Sequence, residues 1–259
     1  MTARDAQTVK SSEKMIRIVD ELTERGEVGV TELADATGFH KSTVYVHLQT
    51  MLENGLVVNT DGRYQLSLKF LSISEEIRTQ RVVYRHGRGE IESLAKETGE
   101  LTCLCVPEEG RTVIVHTARG EKASQTISDG TRIPMTDSPF GRVLLAFGAD
   151  SVSDDEQEPA EVDLETIREN GYDVSTDQSV GGIPYIAEPE PDRPRSESHR
   201  TDVRNRAVAA PILRGEEPVG AVGVTGPSKR ISGDYRDHVR QQVVQTAAMI
   251  EKKVAVGTD

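Results

Sequence analysis

Within its first 66 residues the chain spells three short amphipathic helices followed at once by a tight hairpin, an order that few folds can accommodate. In residues 11–24, Met15, Ile18, Val19 and Leu22 recur at i, i+3, i+4 and i+7, a single helical stripe that stops before Gly26. Residues 31–36 predict a second short helix with Leu33 and Ala34 inward, broken at Gly38. Residues 40–53 place Val44, Leu48, Met51 and Leu52 on one face and leave Lys41, Ser42, Thr43, His47 and Gln49 largely off it. Two short strands, 56–59 and 64–66, then flank the turn Thr60-Asp61-Gly62-Arg63, where Asp-Gly suits the positive dihedrals of a two-residue hairpin loop.

Helix, helix, turn, helix and hairpin is the order of a winged helix-turn-helix, whose third helix lies in the major groove while the wing touches backbone or minor groove. A small helical domain without a nucleic-acid role fits the same pattern. Residues 1–80 hold 9 basic and 12 acidic side chains, a net charge of −3, so the basic footprint of an ordinary DNA-binding domain is missing. The whole chain is acidic too: 43 acidic against 31 basic residues give −12, the basic residues are 22 Arg and only 9 Lys, and Trp is absent. That balance is expected of a protein kept soluble in concentrated salt, where the Debye length is only about 3 Å at 1 M. Salt also weakens counterion release from phosphates, so individual hydrogen-bonding groups carry the recognition. The candidates are Lys41, Ser42, Thr43, Tyr45 and Gln49 of the third helix, His40 and His47 at its flanks, and Arg63 on the wing.

Residues 68–80 continue as a connecting helix with Leu68, Leu71 and Ile77 inward. A second region follows. Residues 89–98 form a helix around Ile91, Leu94 and Ala95 with Gly99 as its stop; 101–106 and 112–117 form a hairpin; 141–147 and 164–170 form short helices. A strand starts at 172–174, a second hairpin joins 207–213 to 219–225, and a last helix over 235–254 buries Val239, Val243, Ala247, Ile250 and Val254. Residues 150–165 carry eight acids and no base and read as a solvated loop, and 188–206 mix Pro, Ser, Asp and Arg as a long flexible one whose arginines (Arg193, Arg195, Arg200, Arg204, Arg206) face solvent. The fold class is α+β in two domains, the second an antiparallel sheet flanked by helices. Residues 1–10 are polar and no window is long and apolar enough to span a membrane, which places the protein in the cytoplasm.

Two cysteines, Cys103 and Cys105, share one face of a strand, a spacing poorly suited to a disulfide. Cys103 with His116 is the one thiol and imidazole pair that can meet across the first hairpin, and no third group orients it, so the chain is read as not an enzyme. A redox or metal sensor built on Cys103 and Cys105 stays open, on the weak signal of a lone Cys-x-Cys. No cofactor and no metal site is expected.

Local strings then become informative. Glu32-Leu33-Ala34-Asp35-Ala36-Thr37-Gly38, Lys41-Ser42-Thr43-Val44-Tyr45, Leu48-Gln49-Thr50-Met51, Gly55-Leu56-Val57 and Tyr64-Gln65-Leu66 resemble the N-terminal domain of the IclR family of transcription regulators. Gly130-Thr131-Arg132-Ile133-Pro134-Met135 leading into Ser138-Pro139-Phe140-Gly141-Arg142, and Ala209-Ala210-Pro211-Ile212 followed by Gly220-Ala221-Val222-Gly223-Val224-Thr225, resemble that family's effector domain. The resemblance implies a winged helix-turn-helix (1–67), a linker helix (68–82) and a GAF-like effector-binding domain (83–259), assembled as a dimer or tetramer on a pseudo-palindromic operator. It implies control of metabolic, catabolic genes by a small carboxylate-bearing or aromatic metabolite. Carried over position by position, the pocket is lined by Ile133, Phe140, Ala207, Gly223 and Thr225, with Asp177 at its mouth and the backbone amides of Ser138 to Gly141 at a helix start as an anion site. Two departures stand out: Val46 where the family commonly has Arg, and an insertion at 183–205. A ligand-binding protein without independent DNA binding is the remaining alternative.

Overall fold

The structure is a computed structural model that describes residues 8–123, 125–149, 163–175, 186–187 and 205–257. These fall into two compact units that part between Ile77 and Arg78.

The first unit begins with α1 (Lys10–Arg25), which buries Ile18 and Leu22 and half-buries Met15 and Val19, the stripe expected from their spacing. It ends at Gly26, whose φ of 75° is open to glycine and strained for other residues. A two-residue strand β1 (Val28–Gly29) leads into α2 (Val30–Thr37), where the Glu32 carboxylate reaches back to accept from the Gly29 N–H at 3.1 Å. Gly38, at φ 73°, closes α2 in the left-handed conformation and turns the chain into α3 (Lys41–Glu53). Val44, Leu48 and Met51 of α3 are fully buried against α1 and α2, but Leu52, expected inward, is exposed. Strands β2 (Val57–Thr60) and β3 (Arg63–Leu66) make the wing, with Asp61 and Gly62 both at positive φ as a type I′ turn demands. Asn59 Oδ1 accepts from Gly62 N at 3.0 Å and braces that turn. The three strands pair antiparallel in the order β1-β3-β2.

Helix α4 (Lys69–Gln80) contradicts one expectation. It buries no residue: Leu71 and Ile77, like Leu68 just before it at 80% exposure, lie open rather than inward, as does Ile73. At about 100° per residue Leu68 and Leu71 fall on one side of the helix and Ile73 and Ile77 on the other, so its exposed apolar side chains form no single stripe.

The second unit is a six-stranded antiparallel sheet with helices on both faces. Helix α5 (Val82–Thr98) starts two turns earlier than its sequence suggested, because Gly87 does not break it. A Cβ there would sit 3.1 Å from the Leu104 side chain and 3.3 Å from Ile250, so the glycine lets α5 lie close against sheet and neighbouring helix. Strands β4 (Leu101–Glu108) and β5 (Arg111–Arg119) form the first hairpin; β6 (Gln125–Thr126) and β7 (Arg132–Pro134) follow, with α6 (Pro139–Ala146) and α7 (Leu164–Asn170). Then come β8 (Asp173–Val174), β9 (Ile186–Ala187), β10 (Asn205–Arg214), β11 (Glu217–Pro227) and α8 (Gly233–Val256). The sheet order is β7-β5-β4-β11-β10-β8, and β6 pairs β9 separately. Asn205 and Arg206 belong to β10 rather than to the loop the composition suggested; the acidic run 150–162 and residues 188–204 lie outside the described residues.

Period-two alternation sorts the central strands between two cores. On one face Leu104, Val208, Ala210, Ile212, Val222 and Val224 pack under α5 and α8, with Val239, Val243, Ala247, Ile250 and Val254 of α8 inward as expected. On the other face Cys103, Cys105, Ala207, Ala209 and Ala221 are small, with Leu101 and Ile114 beside them, and the helix above them is α6. Small side chains on the strand side leave room for one large side chain on the helix side, and this difference shapes the site described next.

Candidate functional site

Two places gather the functional candidates, one in each unit. In the first, α3 presents Lys41, Ser42, Tyr45 and Val46 exposed, with Thr43, His47 and Gln49 half-buried. His40 is the residue before the helix, and its side chain makes no capping bond, so the first amides of α3 are not closed by it. Gln49 is drawn inward: its Nε2 donates to Tyr64 Oη at 3.3 Å and ties the third helix to the wing. Arg63, expected to reach toward DNA, folds back instead. Its Nη2 donates to the Glu27 carbonyl at 2.7 Å and its guanidinium pairs with the Glu32 carboxylate at 3.3 Å. A phosphate contact by Arg63 requires breaking those bonds, because Glu27 just before β1 and Glu32 of α2 offset the same charge.

Two cations that the sequence pattern did not single out lie beside the turn into α3. Lys14 and Arg17 of α1 each approach the ring of Phe39 at 5.7 Å. Their i, i+3 spacing on the polar side of α1 was visible, but Phe39 as their shared platform was not.

In the second unit the resemblance-derived residues do come together. Ala207 pairs with Thr225 and Ala209 with Gly223 across β10 and β11, while Gly223 and Thr225 face Cys103 and Leu101 of β4. Over this patch sits Phe140, fully buried in the first turn of α6; a Cβ on Gly223 would lie 2.7 Å from Phe140 Cε1 and 2.3 Å from the Val208 oxygen. Glycine at 223 is therefore what admits the ring. Ser138 caps α6, its Oγ accepting from Gly141 N at 3.3 Å, and Gly141 must be glycine because a Cβ would fall 2.1 Å from the Met135 oxygen. Ile133 of β7 closes the side. Asp177 lies outside the described residues.

The patch is bounded by two ion pairs that sequence reading missed. Arg142 of α6 is buried, with Nε donating to Asp173 Oδ2 at 2.6 Å and Nη1 to the Thr136 oxygen at 3.2 Å, and so pins α6 to the edge strand β8. At the other end, beside Thr225, the fully buried Glu100 carboxylate takes a two-pronged contact from Arg230, with Nη2 to Oε2 at 2.7 Å. That contact raises the Arg230 pKa above its ordinary value. Tyr235 Oη donates to the Thr98 oxygen at 2.6 Å, and burial raises its pKa.

Cys103 and Cys105 do share one face of β4 as free thiols, but the Cys103–His116 meeting does not form. A register shift between Leu104 and Cys105 leaves His116 paired with Leu104 and Cys103 with Thr117, so thiol and imidazole lie on opposite faces of the sheet. His116 instead stands edge-on to Tyr84, 5.6 Å between ring centroids. Both thiols are fully buried in the α6-side core, and desolvation pushes both well above the ordinary thiol range. A thiol ionises to bind a metal or react, and burial opposes that ionisation at both Cys103 and Cys105.

Comparison with known proteins matches this architecture. The family description "IclR helix-turn-helix domain" fits residues 11–61, and "Bacterial transcriptional regulator IclR C-terminal" fits residues 79–252. Among similar curated proteins are a probable HTH-type transcriptional regulator ArcR of Halobacterium salinarum, 24% identical over 92% of this chain and 91% of that one, and a glycerol operon regulatory protein of Streptomyces coelicolor, 25% identical over 98% and 99%. Among solved structures, the Thermotoga maritima IclR aligns with a TM-score of 0.72 at 18% identity over 95% of this chain and 98% of that one. An IclR homolog complexed with 4-hydroxybenzoate from Microbacterium hydrocarbonoxydans aligns with a TM-score of 0.69 at 15% identity over 96% and 100%. No helix among the described residues is long and apolar enough to cross a membrane. From the winged helix-turn-helix, the two-faced antiparallel sheet and these matches together, the chain belongs to the IclR family of transcriptional regulators, proteins that join a DNA-binding helix-turn-helix to an effector-binding C-terminal domain and are not enzymes.

Proposed function

We propose that this chain is a sequence-specific regulator of metabolic, catabolic genes whose DNA binding responds to a small organic acid held in its second unit. Residues 68–82 act as the connector between reading and sensing parts. The observation that carries the effector half is the fully buried aromatic side chain Phe140, seated over the small residues Ala207, Ala209 and Gly223 at the Ser138-capped start of α6. A ring-sized ligand that displaces Phe140 finds a surface already shaped for a ring, with the positive end of α6 beside it to favour a carboxylate. The similar protein solved with 4-hydroxybenzoate supports an acid of that size.

On the DNA side, Lys41, Ser42, Thr43, Tyr45, His40 and His47 contact the operator, joined by Lys14 and Arg17 as phosphate ligands. The exposed apolar side chains Leu68, Leu71, Ile73 and Ile77, on two sides of the connecting helix, support a homodimer or tetramer, since apolar surface left open in this way marks an interaction surface. Two third helices so joined read a pseudo-palindrome. The effector acts by binding the dimer geometries unequally. The acidic balance and the Halobacterium relative support work in concentrated salt.

The test is retention of fragmented genomic DNA by the full chain in molar KCl, sequenced with and without a panel of small aromatic and sugar acids. Enrichment of one short pseudo-palindrome near catabolic genes, altered by one acid of the panel, is the expected result. Sequence-independent retention refutes specific reading, and a palindrome indifferent to every acid refutes the effector class.

A further inference from the structure

We infer that Val46 is a base-reading residue of α3, recognising the C5-methyl group of a thymine in the major groove; this rests on the proposal that α3 enters that groove. The buried side of α3 is defined by Val44, Leu48 and Met51, all at 0% exposure. At about 100° per residue, Val46 projects about 190° from their mean direction, the centre of the outward face. It is 62% exposed, and its neighbour Tyr45 is 51% exposed. A lone aliphatic side chain on a surface is ordinary. Here it occupies the middle of the face, where a reading helix meets base edges.

The chemistry left to that face favours this role. Helix α3 contains no arginine, so the two-pronged guanidinium contact to guanine is absent from it, and its single fixed cation, Lys41, lies in the first turn. Arg63 of the wing is held by Glu27 and Glu32. Base edges in the major groove offer one apolar mark, the thymine methyl, and an aliphatic side chain reads it. Val46 is suited to do so, because β-branching holds a helical valine close to one rotamer and little freedom is lost on contact. Ser42 precedes it by one turn and Thr50 follows by one turn, the Thr50 hydroxyl donating to the Val46 oxygen at 3.1 Å. The stripe Ser42-Val46-Thr50 therefore rises about 6 Å per step, close to two base-pair spacings. A methyl contact is not screened by salt, whereas phosphate contacts weaken as salt rises.

The test begins with a randomised duplex library selected by the full chain in 1 M KCl. Each thymine of the selected site is then replaced by deoxyuridine, which removes the methyl group and keeps the hydrogen-bonding edge. For the wild type, one thymine per half-site is expected to lose about fourfold in affinity on replacement, the size of one buried methyl group. In Val46→Ala, which keeps a helix-favouring exposed side chain, that same replacement is expected to cost nothing, while Lys41→Ala retains the fourfold loss. A selected site at which wild type and Val46→Ala respond identically to every deoxyuridine overturns the assignment of Val46 and leaves DNA reading by the chain intact. A selection that yields no sequence overturns the reading role of α3 itself, and this inference with it.

Discussion

Replacing Phe140 with alanine removes the ring that packs over Gly223, and its cost follows from the packing. Phe140 is fully buried between Ile133, Val143, Leu144 and the strands carrying Ala207 and Ala209, and the glycine beneath it supplies no atoms to refill the space. Collapse is opposed on the helix side too, because Gly141 already touches the Met135 backbone and Arg142 pins α6 to Asp173. A Phe→Ala change at such a site costs about 3–5 kcal/mol. In a unit of this size each kcal/mol moves the melting temperature by about 2–4 °C, so a fall of about 10 °C is expected. Because the chain has two compact units, a global melt mixes their transitions. Urea unfolding followed by hydrogen exchange of peptides from β10 and β11 reports the second unit alone. Phe140→Leu, which keeps most of the volume, retains most of the stability. Protection of β10 and β11 in Phe140→Ala within about 1 kcal/mol of wild type would mean that the ring is not close-packed over Gly223, and the shape argument for a ring-sized pocket fails with it.

Breaking the Glu100 and Arg230 pair from one side leaves a fully buried carboxylate without its partner. Arg230→Met is expected to destabilise by about 2 kcal/mol, below the 3–5 of wholly buried pairs because Arg230 is 35% exposed, and Glu100→Gln in the same chain to recover part of it; additive losses in denaturant melts refute the coupling. Lys41→Ala is expected to weaken all duplexes about equally and to lower the slope of log affinity against log salt by about 0.9 per protomer, whereas relaxed sequence choice in titrations from 0.2 to about 1 M KCl marks it as a base reader. The thiols give a pH dependence with a definite sign. Cys103 and Cys105 stay protonated in the folded chain while those of the unfolded chain ionise near about pH 8.5, so stability falls as pH rises past that value, by up to about 1.4 kcal/mol per pH unit for each thiol. Cys103→Ala with Cys105→Ala is expected to flatten that fall; an unchanged pH profile refutes the assignment.

Local pattern alone carried much of this molecule. The stripes of α1 and α8, the stops at Gly26, Gly38 and Gly99, and the Asp61-Gly62 turn depend on helical period and on positive φ, which neighbouring residues determine among themselves. The family strings around Ile133, Phe140 and Gly223 named a set of residues that the strands and α6 do bring together.

Tertiary structure decided what each element meets. Whether Leu71 and Ile77 turn inward depends on a partner surface that periodicity does not supply, and the bulge beside Leu104 moved His116 to the face away from Cys103. Arg63 was lost to Glu27 and Glu32 because charges distant in sequence converge only once β1 pairs with β3. Phe140 found Gly223, and Arg142 found Asp173, for the same reason: the chain's own periodicities repeat over a few residues, while strand register joins positions separated by scores of them, and only the folded sheet sets that register.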